Sequence, residues 1–434
     1  MSEEAFDAIV VGGGVSGCVA AYVMAKEGLN VLLVERGAEC GEKEMTGGRI
    51  YTHSLKQYMP ECFQDAPLER RVEKERISFT YDNSAFTVDY TEDRDADPKR
   101  DSYSVLSSRL VRWLGERAEE AGAMVACGIR VDDLLIHDGR VSGIIAGDDV
   151  LEAKVVVLAD GVNSLLAEKA GIERDVSAHR MAVGVKELIE LDEEQICDRF
   201  GVEQGKGVAW LFAGGVTEGA YGGSFLYTNK TSVSLGLIRT LSDIEKGELS
   251  LPAQLDAFKK HPVVAPLLKD GKTIEYSGHM VPEPDLDFVP GGKQLHVPGC
   301  IVVGDAAGLI INIGFMVRGL DLAVASGGIA ARAIAEAHAN KKLDSAGSLY
   351  EQYLKDSFIL QDMDVYKRFP IIMTNHRIFN EYPQMLTGLM SDMFVLNPDE
   401  HSKPVMGRAM ARIKEAGGIR SFLRDFRGFA KALR

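Results

Sequence analysis

Phe6-Asp7-Ala8-Ile9-Val10-Val11-Gly12-Gly13-Gly14-Val15-Ser16-Gly17 runs a short apolar stretch straight into a cluster of glycines. Phe6 to Val11 reads as a strand, and Cys18 to Lys26 has the spacing of an amphipathic helix. Between them lies a phosphate turn. Gly12 permits the tight bend, Gly14 lets backbone approach a pyrophosphate, and Gly17 lets helix and strand pack closely. The N–H groups of the first helical turn, around Val15 and Ser16, face the phosphates. Leu29 to Val34 supplies a second parallel strand. Glu35 at its end, with Arg36 after it, is placed to accept hydrogen bonds from both ribose hydroxyls, and an acid there disfavours a 2′-phosphate. These residues alone leave NAD and FAD both open.

Two distant segments decide for FAD. Val155 to Leu158 reads as a buried strand followed by Ala159-Asp160-Gly161, and Ile301 to Val303 as another followed by Gly304-Asp305-Ala306-Ala307-Gly308. Each delivers a polar group from a strand end to a ligand. Asp305 is placed to accept from a ribitol hydroxyl. A helix starting just beyond it would offer positive partial charge to the N1–C2=O edge of a flavin.

The net charge of −15 over 434 residues speaks against nucleic acid as a partner. The first residues carry no basic, apolar, cleavable leader, and no apolar run approaches a membrane span, so a cytoplasmic location is expected. The six cysteines, at 18, 40, 62, 127, 197 and 300, form no CxxC pair, and neither disulfides nor a metal site is expected.

The chain order points to an α/β architecture: a Rossmann-like FAD-binding domain interrupted by an antiparallel-sheet substrate domain and followed by a helical C-terminal segment. The first part of the FAD domain is placed at 1–178, with 76–107 as an excursion and a helix over Leu110 to Ala121. Alternation in Met181 to Leu188, Val208 to Phe212, Ser224 to Tyr227 and Thr231 to Ile238 places the second domain at 179–297. Gly222-Gly223 and Thr228-Asn229-Lys230 read as turns there. The flavin domain resumes over 298–342, with a helix over Gly319 to His338, and 343–434 reads as largely helical.

Three segments together are similar to the FixC type of electron-transfer-flavoprotein:quinone oxidoreductase, within the glutathione-reductase-like flavoproteins of p-hydroxybenzoate hydroxylase topology. They are Gly37 through Leu55, containing Met45-Thr46-Gly47-Gly48-Arg49-Ile50-Tyr51-Thr52-His53-Ser54-Leu55, the run from Ala159 to Ala167, and Gly304 to Gly308 followed by Asn312, Gly314-Phe315, Val317-Arg318-Gly319-Leu320-Asp321 and Ala325-Ser326-Gly327. The resemblance implies that Gly12, Gly14, Gly17 and Glu35 hold the ADP half of FAD and that Arg109 contacts its phosphate or ribose side. Asp305 would meet the ribitol, and Gly47, Gly48 and Arg49 would line the isoalloxazine. Gly314 to Gly319 would wrap its edge, where Arg318 would favour negative charge on the reduced ring, unless it serves a structural ion pair with Asp321. His53 is open between a satisfied loop histidine and a proton donor. No other catalytic residue is singled out.

The implied activity is electron relay from electron-transfer flavoprotein subunits through FAD to a quinone, within a multi-subunit complex. Hydroxylases of this topology follow the DG serine with an arginine used around NAD(P)H; here Ser164 is followed by Leu165-Leu166-Ala167, and no second GxGxxG unit is present. Longer relatives carry a ferredoxin-like cluster domain, which this chain lacks, so a separate small ferredoxin in the FixX role is expected. Two other readings stay open: a geranylgeranyl-reductase-type enzyme that saturates isoprenoid double bonds, and a flavin-bound assembly subunit without turnover of its own. Ile371 to Leu396 is apolar and methionine-rich. From Lys403 to Arg434 nine basic residues stand against Glu415 and Asp425. That tail is expected either to meet an anionic membrane surface or an acidic ferredoxin, or to be a solvated helix end.

Overall fold

The computed structural model describes residues 5–44, 47–94, 97, 100–172, 177–283, 294–396, 398 and 404–432. Met45 and Thr46 of the glycine-arginine motif, and Lys403 and Arg434 of the basic tail, lie outside these.

Phe6–Val11 is the central strand of a parallel sheet. It pairs with Val31–Val34 on one side (Ala8 opposite Val31) and with Asp149–Leu158 on the other (Phe6 opposite Ala153). Cys300–Val302 extends the sheet beyond Asp149–Leu158, and Met124–Ala126 extends it beyond Val31–Val34, all in parallel. Ala8, Ile9 and Val10 are wholly buried, as befits a strand covered on both faces.

The helix after the phosphate turn spans Val15–Lys26 and differs from the expected amphipathic one. Every residue from Val15 to Ala25 is buried. Small side chains explain it: at Gly327 of the Leu320–Ala339 helix a Cβ would stand 2.2 Å from the carbonyl oxygen of Ser16. The two helices therefore pack backbone against backbone.

A second sheet of nine strands carries the other half of the site. Its order is Lys272–Pro282, Met181–Glu190, Ser232–Thr240, Gly222–Thr228, Lys206–Gly214, Leu68–Tyr81, Ser102–Val105, Gly48–Tyr51, with Ser84–Thr91 paired to Leu68–Tyr81. It is antiparallel except where Lys206–Gly214 runs parallel to Leu68–Tyr81. The sheet thus draws on the chain from 48 onward as well as on 181–282. Gly222 and Gly223 lie inside a strand rather than in a turn, because a Cβ at Gly222 would meet the Ile238 carbonyl oxygen at 2.1 Å. The turn at 228–231 forms as expected, closed by Asn229 N–H donating to Ser232 O at 2.8 Å.

Alternation divides this sheet into two faces. Val185, Val208, Trp210, Phe212, Leu226 and Leu235 form a second core with Ile196, Phe200, Leu255 and Phe258 of two covering helices. Register places Lys186, Gly236, Phe225, Leu211 and Ile77 in one row, and Ser234, Tyr227, Ala209 and Glu75 in the next. This second face meets the flavin half of the molecule.

Asp305 sits in a four-residue 3-10 turn, Gly304–Ala307, and not at the start of a long helix. A hairpin of Ile311–Asn312 and Val317–Arg318 intervenes, and the helix begins only at Leu320. Beyond it the chain is helical, from Ala346–Asp356 to Gly418–Ala432.

Candidate functional site

The parallel strands end in one groove. Gly12 adopts φ +107°, and a Cβ there would stand 2.3 Å from Ala159 O, so the turn closes directly on the Ala159-Asp160-Gly161 segment. Glu35 receives Gly13 N–H on Oε2 at 2.7 Å and Gly37 N–H on Oε1 at 2.5 Å. Its fixed carboxylate faces the turn with lone pairs left for hydroxyl donors. Gly304, at φ +61°, lies against Ser16, and its N–H donates to Ser326 Oγ at 3.0 Å. Gly12, Gly14, Val15, Ser16, Gly17, Glu35, Asp160, Gly161, Gly304 and Asp305 are thus delivered to one place by four strand ends. The cradle fits a dinucleotide: backbone N–H groups and absent side chains where phosphates go, an acid where a ribose goes. Arg36 is exposed. Arg109, in the first turn of Ser107–Glu120, is 67% exposed, with Nη1 3.8 Å from Glu69.

Next to the groove, Gly47 and Gly48 lead into the edge strand. Gly47 takes φ +72° and presses on Ser234, whose Oγ would be 2.1 Å from a Cβ. Its carbonyl accepts from Lys186 Nζ at 2.7 Å. Burial pushes the Lys186 ammonium down to about 8, although Glu44 and Glu275 support its charge.

Arg49 donates through Nη1 to Glu75 Oε2 at 2.8 Å, through Nη2 to Glu75 Oε1, and through Nε to Ser102 Oγ at 3.0 Å. Burial opposes its charge, yet the surrounding Tyr51 and Glu75 hold it above the usual arginine value. Arg49 also lies over the Tyr51 ring at 4.6 Å, and Arg318 over the same ring at 5.6 Å. Arg318 is fixed by Asp321 (2.9 and 2.6 Å) and Asp362 (2.5 Å), so the ion pair with Asp321 is present. His53 Nε2 stands 3.8 Å from Asp321. Burial lowers its proton affinity first, and Arg318 adds to the lowering.

Arg49, Tyr51 and Glu75 stand in the wall of a cavity of about 280 Å³. Arg49, Tyr51, Glu75 and Tyr227 supply its polar side, while Leu211 and Phe315 stand among its apolar residues. Phe315 is carried at the hairpin tip by Gly314, whose N–H donates to Asn312 Oδ1 at 3.0 Å. Burial raises the hydroxyls of Tyr51 and Tyr227, keeping both as donors at neutral pH. Glu75, Lys186 and Tyr227 belong to no motif, and Tyr51, although it lies within the glycine-arginine motif, carries no assigned role. The available signal is a charge or phenol on the sparsely apolar side of an alternating strand, as in Val183-Gly184-Val185-Lys186-Glu187.

Three family profiles match successive parts of the chain. An FAD binding domain profile matches residues 5–198, an ETF-QO ubiquinone-binding profile matches 181–281, and an ETF-QO/FixC family C-terminal domain profile matches 369–434. The chain is 47% identical over 427 residues to the probable electron transfer flavoprotein-quinone oxidoreductase YdiS of Escherichia coli K12, covering 98% of both. It is 45% identical over 428 residues to protein FixC of Salmonella typhi, again covering 98% of both. Among solved structures, a geranylgeranyl bacteriochlorophyll reductase-like protein of Thermoplasma acidophilum superposes with TM-score 0.71 at 21% identity, covering 95% of this chain and 99% of that one. The flavin-dependent brominase Bmp2 gives 0.62 at 15%, with the same coverage. Both share the fold.

Proposed function

Since this chain belongs to the electron-transfer-flavoprotein:quinone oxidoreductase and FixC family, and is an FAD-dependent oxidoreductase, we propose that it takes electrons from an electron-transfer flavoprotein and passes them to a quinone bound in the cavity beside Arg49. The observation that carries this reading is the full-length likeness to the quinone oxidoreductases, with the ubiquinone-binding match falling on the sheet that walls the cavity.

FAD, when bound, supplies a ring that accepts electrons singly or in pairs. The chain's residues do the rest. The Gly12–Gly17 turn and Glu35 would hold the ADP half, Asp305 would meet the ribitol, and Gly47, Gly48, Gly314 and Phe315 would border the ring. In the cavity Ile77, Ala209, Leu211, Met316 and Val317 cover the faces of a quinone ring. Tyr51 and Tyr227 are placed to donate hydrogen bonds to its carbonyl oxygens, which need two electrons and two protons to become a quinol. Arg49, held by Glu75 and Ser102, places a fixed positive charge beside oxygens that gain negative charge on reduction.

The protein acts as the FixC-like subunit of a larger assembly, with flavoprotein subunits and a separate small ferredoxin. Its apolar, basic C-terminal helices rest on the inner face of the cell membrane. Among the described residues no helix is long and apolar enough to cross a membrane, which accords with contact from one side.

The test is anaerobic. The bound flavin is reduced, and its absorbance is followed with a short-chain quinone and, separately, with a geranylgeranyl substrate. Rapid reoxidation by quinone alone is expected. Reoxidation by the prenyl compound with a saturated product would instead show a reductase, and resistance to both would leave an assembly subunit.

A further inference from the structure

Two charged side chains that the motif reading gave no role face each other beside the phosphate turn, Glu44 against the turn itself and Lys186 from the second sheet. Glu44 reaches back over the turn, with Oε1 3.4 Å from where a Cβ of Gly14 would stand. Its carboxylate therefore stands beside the turn read as the diphosphate site. Lys186 comes from the second sheet through a gap made for it. At Gly236 a Cβ would stand 2.8 Å from Lys186 Cγ and 2.2 Å from the Phe225 ring, so only glycine lets the lysine stem and the ring share that space. The ammonium lies 5.2 Å from the Phe225 centroid and donates to Gly47 O.

We propose that Lys186 is the cation that answers the diphosphate of FAD, and that Glu44 and Lys186 together take up a proton when FAD binds. The inference rests on the reading of the Gly12–Gly17 groove as the FAD site. A diphosphate brings about two negative charges to a place already bordered by carboxylates. Glu44 faces Asp305 from the 3-10 turn, Glu35 from the strand end and Lys186 from the second sheet; Lys186 faces Glu44, Glu275 and His279. Burial first, then Asp305, pushes Glu44 up to about 7. Further negative charge beside the pair favours the protonated form of both groups. The bound state thus holds more protons, and affinity falls as pH rises.

The experiment uses the full chain stripped of FAD and titrated with FAD by calorimetry, in two buffers of different ionisation enthalpy, across about pH 6 to 9. In the wild type, proton uptake is expected, with affinity weakening by at most about tenfold per pH unit above neutrality. Lys186→Met should weaken binding by about tenfold or more, Glu44→Gln should strengthen it above pH 7, and the double variant should bind with little pH dependence. Circular dichroism checks that each variant is folded. If Lys186→Met does not fold, Lys186→Arg serves, with affinity kept.

Undiminished affinity in Lys186→Met, loss of affinity in Lys186→Arg, or wild-type pH dependence persisting in the double variant would overturn the assignment. So would FAD binding without proton uptake, which leaves the groove as the FAD site. Absence of stoichiometric FAD binding by the wild type would instead remove the groove reading itself.

Discussion

Arg49 and Glu75 meet as a two-point ion pair across the Ser102–Val105 strand, which lies between their own strands in the sheet, with Ser102 Oγ bonded to the same guanidinium. Glu75 also receives Arg94 Nη2 at 3.0 Å. One carboxylate thus holds two arginines, of which Arg49 lines the cavity. Removing one partner of such a pair leaves a poorly solvated charge. Arg49→Met is expected to cost about 2 to 3 kcal/mol, softened because Arg94 remains on Glu75. KM for a short-chain quinone should rise about tenfold, the loss of one charge-assisted contact. Melting curves and steady-state kinetics on FAD-loaded protein check it; unchanged KM with lowered stability would confine Arg49 to a structural role.

Arg318 and His53 compete for Asp321, whose side chain is 1% exposed. In Arg318→Gln the positive charge that opposes protonation of His53 is gone while Asp321 stays. The imidazole should then titrate at higher pH than in the wild type, and the protonated ring should replace the guanidinium as partner of Asp321. Selective ¹⁵N-histidine NMR reads this directly. A His53 titration that stays put, or moves downward, would show that Asp321 is satisfied elsewhere.

The sequence carries the ADP half of the site plainly because its geometry is local. Gly12 to Gly17 and Glu35 lie within one strand, turn, helix and strand, and their spacing alone brings them together. The cavity was less legible because it is assembled by sheet register between distant strands. Glu75 reaches Arg49 only because Leu68–Tyr81 and Gly48–Tyr51 both pair with Ser102–Val105. Lys186 reaches Gly47 only because Gly236 leaves room beside it. Asp305 shows the opposite failure: a glycine-aspartate at a strand end looks like a helix start, but Gly308 takes φ +72° and ends the turn after four residues.

Glu283 gives a pH prediction at the far end of the second sheet. Its side chain is buried, Tyr221 donates to Oε2 at 3.1 Å, and burial pushes it up to about 7 despite that bond. Its folded value lies above its unfolded one, so its contribution is fully present at acid pH below the unfolded value. It is lost as pH rises through about 7. Glu283→Gln keeps an acceptor for Tyr221 and removes the titration. The variant should melt higher than wild type at pH 8, by up to about 3 kcal/mol of local stability, and the two should converge near pH 4. Equal melting temperatures at both pH values would show that Glu283 is solvated in the folded protein.

The C-terminal helices bear on where the protein works. Phe394 is 78% and Leu396 84% exposed at the end of Glu381–Phe394, Met406 is 73% exposed on Val405–Glu415, and Phe426 61% on Gly418–Ala432. The same helices carry Arg408, Arg412, Lys414, Arg420, Arg424, Arg427 and Lys431, of which Arg408 and Arg412 are engaged by Asp392 and Arg424 by Asp425. Exposed apolar side chains on basic helices fit the boundary of an anionic bilayer, where each basic residue adds about 1 kcal/mol and each large side chain about 2. The purified protein should therefore sediment with vesicles containing anionic phospholipid, and less so as salt rises. Phe394→Asp with Leu396→Asp should lower that binding by at least about tenfold, because both lose apolar burial and gain repulsion. Neutral vesicles should hold the protein weakly. Binding that ignores both lipid charge and the paired substitution would turn this face towards a protein partner instead, and an acidic ferredoxin that competes with vesicles for the wild type would identify it.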